Sequence, residues 1–187
     1  MGGPKKDRLG LYTPTCSRLE CVRSPEIAIT RDGYFYKSAI FRKLLEAGLR
    51  VPLTLTACKG YLLNDIEMFK MLLASGMDPN LPNWQRQTLL HDVCGGGGRG
   101  QVEKQLAFAR ILLDAGANIS AKEEVYSSTP LGFAAKNNMP DMVEFLLSRG
   151  APYNLPDDEP WSTPLAWSER RGHVEIAQIL RDHGATR

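Results

Sequence analysis

The residues of this chain that could do chemistry are few, and the first to test is a glycine run. In "HDVCGGGGRGQVEKQ", residues 91–105, Gly95, Gly97 and Gly100 spell G-x-G-x-x-G ahead of a helix-like segment. That spacing cradles a pyrophosphate when a strand leads into it and an acidic residue about 20 positions on holds the ribose. Glu123 and Glu124 lie near that distance, and "TLLHDVC" is short enough to be a strand. A phosphate-binding P-loop is excluded, because Gln101 and Val102 follow Gly100 where Lys and Ser or Thr are required.

His91 is a candidate general base, yet the sequence places no Ser or Cys as its nucleophile. The four cysteines (Cys16, Cys21, Cys58, Cys94) and three histidines (His91, His173, His183) are scattered. A zinc site needs closely spaced ligand pairs, so no metal is expected, and the thiols read as reduced. The acidic pieces "AKEEVY" and "PDDEPW" lack the glycine and spacing of a calcium loop and read as solvated charge. No cofactor is implied. A net charge of +2 over 187 residues points to neither nucleic acid nor an anionic membrane. No run approaches the roughly 18 apolar residues of a membrane span, and "MGGPKKDRLG" lacks the apolar stretch of a secretory signal. Lys6 stands where an N-terminal acylation signal needs Ser or Thr. The expectation is an intracellular, cytoplasmic monomer.

The elements that would position these residues repeat. "STPLGFAAKNNMPDMVEFLLSRGAPYN" and "STPLAWSERRGHVEIAQILRDHGATR" align directly, and both Thr129 to Thr163 and Gly116 to Gly150 to Gly184 repeat at 34 residues. The copy beginning at Thr88 fits with seven extra residues and the one beginning at Val51 with four. A half-copy ends in "YKSAIFRKLLEAG". Each recurring residue has a physical role. Thr129 and Thr163 can cap a helix, with Pro130 and Pro164 in its first turn, where a missing N–H costs nothing. Small residues such as Ala134 and Ala135 let helices approach closely. A second helix carries two apolar columns, Leu44, Leu72, Leu112, Leu146, Leu180 and Ile40, Met68, Phe108, Met142, Ile176, four residues apart on one face. Gly48, Gly76, Gly116, Gly150 and Gly184 then suit the left-handed residue that ends a helix. The column Leu45, Leu73, Leu113, Leu147 closes with Arg181, as a solvated terminal face requires, so the stack is expected to end here rather than be cut short.

This pattern resembles the ankyrin repeat over roughly residues 34 to 187, through T-P-L, paired small residues and a closing Leu-Leu-x-x-Gly. The resemblance implies an all-α solenoid of stacked helix–turn–helix repeats joined by loop or β-hairpin fingers. Its expected divisions are a basic, turn-rich tail over 1–25 and a repeat domain over 26–187. The domain holds a half-repeat at 26–48 and repeats at about 51–76, 88–116, 129–150 and 163–184. The family's His after T-P-L is present at His91 but replaced by Thr54, Gly132 and Ala166 elsewhere. In this register "TLLHDVC" becomes a first helix, Glu123 and Glu124 fall in a finger, and the glycine run becomes a spacer. His91 then ties neighbouring repeats together, and His173 is a structural residue of the turn between helices.

The resemblance also implies a concave binding surface made by the fingers and first helices, and hence a protein partner. Trp84, Tyr126 and Trp161 each precede a cap position, where stacking needs no bulk, and large amphipathic side chains are favoured interface residues. A contact within the stack remains open for Trp84 and is favoured for Trp161, which Pro160 and Pro164 flank. The family's variable positions fall on Trp84, Gln85 and Gln87, then Val125, Tyr126 and Ser128, then Glu159, Pro160 and Ser162, with Lys136, Asn137, Arg170 and Arg171 from first helices. Their charges are mixed, so no single-sign partner follows. The reading is a non-catalytic protein-interaction module. The alternatives are a nucleotide-binding or enzymatic role at residues 95–100, and a purely structural module of a larger assembly.

Overall fold

A computed structural model describes residues 65–95 and 101–186, with Ala47 as an isolated turn residue. The chain divides into two compact units, Met1–Pro52 and Leu53–Arg187, and the architecture below is that of the second. The expected tail, the half-repeat and the first helix of the repeat at 51–76 lie outside the described residues, as do Gly97 and Gly100.

Seven helices are described: α1 (Ile66–Ala74), α2 (Leu89–Cys94), α3 (Val102–Asp114), α4 (Pro130–Lys136), α5 (Pro140–Ser148), α6 (Pro164–Arg171) and α7 (Val174–Asp182). They form two layers. The inner layer stacks α2 on α4 on α6, the outer layer stacks α3 on α5 on α7, and each inner helix packs on the outer helix that follows it. The ring of Phe69 on α1 meets that of Phe108 on α3 edge-on, centroids 5.3 Å apart. No strand is present among the described residues.

The sequence dictates the helix ends. Thr129 Oγ1 accepts the Gly132 N–H at 3.3 Å, and Thr163 Oγ1 accepts the Ala166 N–H at 3.1 Å. Asp65 caps α1 through the Met68 N–H at 3.0 Å. The outer helices share one ending: Gly76, Gly116, Gly150 and Gly184 have φ between +82° and +94°. The next residue returns its N–H to the carbonyl of Leu72, Leu112, Leu146 or Leu180 at 2.9–3.1 Å. This Schellman closure needs a residue without a Cβ at its turning point. The four leucines are fully buried, as are Phe108, Met142 and Ile176 of the companion column. Each such leucine contributes about 2 kcal/mol of apolar burial. Leu73, Leu113 and Leu147 are half-buried, and in their column Arg181 is exposed and pairs with Glu169 at 2.5 Å.

One expectation is refined. Helix α3 has 13 residues against 9 in α1, α5 and α7. Part of the insertion is therefore not spacer, because Val102–Gln105 adds a turn to the N-terminus of α3. Glu, Lys and Gln at 103–105 are good helix formers, which accounts for it.

Candidate functional site

The fingers connect each outer helix to the next inner helix, and buried or half-buried side chains set their shape. In the first finger, the Asn83 side-chain oxygen accepts the N–H groups of Gln85 and Gln87, both at 2.9 Å, and Arg86 turns with φ +57°. In the second, the carboxylate of Glu123, only 4% exposed, accepts the N–H groups of Val125 and Tyr126 at 2.7 Å and of Ser128 at 3.3 Å. Three amide donors compensate a buried carboxylate that would otherwise be costly. The Glu124 N–H reaches the Gln85 carbonyl at 2.9 Å and joins the first two fingers. In the third, the Asp158 carboxylate accepts the Leu155 N–H at 2.6 Å.

Lys122 ties the second finger to the third, lying 2.7 Å from Asp158 and 3.1 Å from Asp157. Burial pulls the Lys122 pKa down, but its hydrogen bonds and charge pairing with Asp158 and Asp157 outweigh this, leaving it above its ordinary value. The hydrogen bond from Lys122 holds Asp157 below the usual carboxylate value. Asp157 and Asp158 of "PDDEPW" thus serve a finger-to-finger bridge.

These turns carry the aromatic positions to three different places. Trp84 is 80% exposed and makes no ring contact among the described residues. Val125 is also exposed, on the adjoining finger. Trp161 is exposed, and its carbonyl accepts a hydrogen bond from Arg170 at 2.8 Å. Tyr126 turns inward, its ring edge-on to Phe133 of α4 at 6.3 Å and to Trp167 of α6 at 5.5 Å. The Lys136 ammonium rests among these three rings, 3.2 Å from the Tyr126 centroid, 4.8 Å from Trp167 and 5.7 Å from Phe133. The Arg170 guanidinium lies over Trp167 at 4.7 Å.

Of the other positions expected to face a partner, Gln85 and Gln87 are half-buried, and Gln87 donates to Asp92 at 2.7 Å. Asn137 is exposed but its amide caps the Phe133 carbonyl at 2.8 Å. Glu159 and Arg171 are exposed. Ser128 and Ser162 are 1% and 2% exposed. These two do not lie on the contact surface: both directly precede a capping threonine, where the chain dives under the finger.

The catalytic candidates are consumed by structure. His91 is fully buried, and its Nδ1 accepts from the Thr88 N–H at 3.2 Å and hydroxyl at 2.9 Å. Its Nε2 is left to donate to the Ser128 carbonyl at 3.2 Å, which links α2 to the next finger. His173 makes the corresponding reach to the Lys136 carbonyl at 3.2 Å. Cys94 is buried, and desolvation, reinforced by the charge of Asp92, pushes its thiol far above the ordinary value, the opposite of an activated nucleophile. Residues 89–94 ahead of the glycine run form helix α2 rather than the strand a dinucleotide site needs, and Gly95 has an ordinary φ of −81°.

The family model for ankyrin repeats (3 copies) matches residues 54–157 and 101–186, which spans the stacked helix pairs just described. The chain belongs to the ankyrin-repeat family. Among curated proteins it is 30% identical over 131 residues to "Glycerophosphocholine phosphodiesterase gde1" of Schizosaccharomyces pombe, covering 70% of this chain and 10% of that protein. It is 36% identical over 74 residues to "Palmitoyltransferase ZDHHC13" of Homo sapiens, covering 40% of this chain and 12% of the other. To "Ankyrin repeat and SOCS box protein 6" of Mus musculus it is 40% identical over 78 residues, covering 41% and 19%. The chain therefore spans a tenth to a fifth of the length of these relatives. Ankyrin repeats are protein-interaction modules and in general not catalysts.

Within this ankyrin stack, Phe133 and Trp167, both buried beneath the ring cluster, are the residues that sequence reasoning missed. Both stand four residues after a capping threonine, the position Asp92 holds in the preceding repeat. Comparing that column between copies would have exposed the change from acid to aromatic. No helix among the described residues is long and apolar enough to cross a membrane.

Proposed function

We propose that this chain is a non-catalytic binding module whose fingers and inner helices hold a protein partner. The surface consists of Trp84, Gln85 and Val125 on the joined first and second fingers, Tyr126 and Lys136 over the buried Trp167, and Arg170 and Trp161 beside them. The observation that carries this reading is Trp84. A tryptophan 80% exposed gains nothing from the stack, yet Asn83 bonds the finger beneath it into one shape. Large amphipathic rings held rigidly lose little freedom when a partner covers them, which favours association. Asn137, Arg171 and Glu159 form the rim. The setting proposed is the cytoplasm, with the chain acting as a monomer.

Affinity capture with the full chain, compared with Trp84→Ala, tests the reading. A partner retained by the native chain and weakened at least about tenfold by the substitution is expected, as for an interface hot spot. Equal retention by a folded Trp84→Ala chain would remove Trp84 from the interface.

A further inference from the structure

The charges that look balanced in the sequence are not balanced in the fold. Asp157 and Asp158 are held by Lys122, Glu123 is enclosed by three amides, and Glu169 pairs with Arg181. Asp92, the other acid on an inner helix, accepts from Gln87. Elsewhere Arg149 pairs with Asp114 at 2.6 Å and Lys70 with Glu67 at 3.0 Å. Lys136, Arg170 and Arg171 of the inner helices have no carboxylate within ion-pair distance among the described residues. Glu124 and Glu159 remain exposed on the fingers.

Two of these three cations are already ordered. Lys136 is held by three rings, and Arg170 by the Trp167 face and the Trp161 carbonyl. Each lies less than 5 Å from the Trp167 ring centroid, so they are within about 10 Å of one another. Lysine ordinarily loses much rotamer freedom on binding, but here the rings have removed it beforehand. The buried Trp167 ring lies beside both cationic groups, and Tyr126, 37% exposed, offers apolar area next to Lys136.

We propose that Lys136 and Arg170, ordered by the rings of Tyr126, Phe133 and Trp167, take an acidic segment of a partner polypeptide, with one carboxylate on Lys136 and a second on Arg170. This rests on the protein-binding reading above and gives the partner its chemistry. An extended chain places side chains on one face at about 7 Å intervals, a spacing that the upper limit of about 10 Å between the two cations allows. The guanidinium retains N–H donors beyond the one used on Trp161, enough for a carboxylate. A nucleic acid is the disfavoured polyanion: the patch offers a few cations beside acidic Glu124 and Glu159, and the whole chain carries only +2.

The test uses the full chain, ¹⁵N-labelled, and three probes: a blocked hexapeptide of alternating glutamate and leucine, its lysine–leucine counterpart, and oligothymidylate. The reporter is the Trp167 indole N–H, which is buried without a hydrogen-bond acceptor and is assigned through Trp167→Phe. Saturable shifts with the glutamate peptide alone are expected, weakening as salt rises. Lys136→Met with Arg170→Gln, folded by its melting curve, should lose at least about tenfold in affinity. Lys136→Glu with Arg170→Glu should transfer preference to the lysine peptide. Equal or tighter binding of the lysine peptide or oligothymidylate to the native chain overturns the proposal, as does unchanged affinity in the first double variant. A captured partner separates the two readings. Retention by the Met/Gln variant with loss in Trp84→Ala overturns the acidic segment and leaves protein binding standing, and loss in the Met/Gln variant supports both. Retention by both variants overturns this surface altogether.

Discussion

The leucine column of the outer helices and the aromatic positions of the fingers behave in opposite ways. Leu72, Leu112, Leu146 and Leu180 occupy one environment four times, fully buried and each offering its carbonyl to the same closing turn. Trp84, Tyr126 and Trp161 occupy three environments: water, a ring cluster, and a carbonyl contact to Arg170. Stacking makes each buried position equivalent to its counterpart one repeat away, because all must fill the same space. The fingers meet no such demand beyond their turns, so their side chains are available for recognition. The shared element specifies the scaffold, and the divergent one is where the proposed partner would be read.

The largest effect should come from breaking the repeated column. Leu146→Ala should cost about 3 kcal/mol, the range for a buried leucine that leaves a cavity. Because repeats couple through their neighbours, chemical denaturation should also show a broader transition than in the native chain. Trp84→Ala sharpens the contrast: its stability change should stay within about 0.5 kcal/mol, the usual range at exposed positions, while binding falls. Should Trp84→Ala destabilise as much as Leu146→Ala, the division between scaffold and surface would be wrong.

His91 sits between the two regions, and His91→Ala should cost about 2 kcal/mol by stranding the Thr88 amide and the Ser128 carbonyl. Thermal denaturation reads this directly. A smaller effect concerns Gly132, which stands where His91 stands one repeat earlier. A Cβ there would lie 2.1 Å from Ser128 Oγ, an atom with no hydrogen-bond partner among the described residues. Gly132→Ala should therefore cost about 1–2 kcal/mol through overpacking. Adding Ser128→Ala should restore native stability, since it removes the clash and forfeits no hydrogen bond. Failure of that rescue would show that the helix backbone, not the hydroxyl, limits the position.

The smallest effect is the pH dependence of the bridge from the second finger to the third. Asp157 is depressed from 3.8, so its contribution is present above that value and fades as pH falls through the lower folded value. Lys122 is raised from 10.5, so its contribution is present below that value and is lost as pH climbs past the higher folded one. Between these limits the bridge is intact. Amide protection in residues 155–159, taken relative to intrinsic exchange at each pH, should be flat across neutral pH and fall in strong acid, and Lys122→Met should abolish the acid-dependent part.

Much of the fold was legible because its determinants are local. A Thr-Pro pair fixes where an inner helix starts, a glycine with positive φ fixes where an outer one stops, and the distance between them sets the repeat. The site was less legible because fingers differ in register. Trp84, Tyr126 and Trp161 precede their threonines by four, three and two residues, and each step turns the side chain elsewhere. Equal composition therefore hid unequal geometry. Phe133 and Trp167 escaped notice because they are core aromatics of the inner helices, and only the fold shows that Lys136 and Arg170 lie over their rings. The sign of the surface escaped for a related reason: which acids are neutralised internally depends on contacts between fingers that no single repeat contains.

The single carboxylate of Glu123 governs the course of a whole loop from the inside. The exposed side chains at 124 and 125 consequently have no part in shaping the turn that displays them. A loop arranged in this way can exchange its outward residues wholesale while its path stays put, so new specificities could be grafted onto it with one glutamate left untouched.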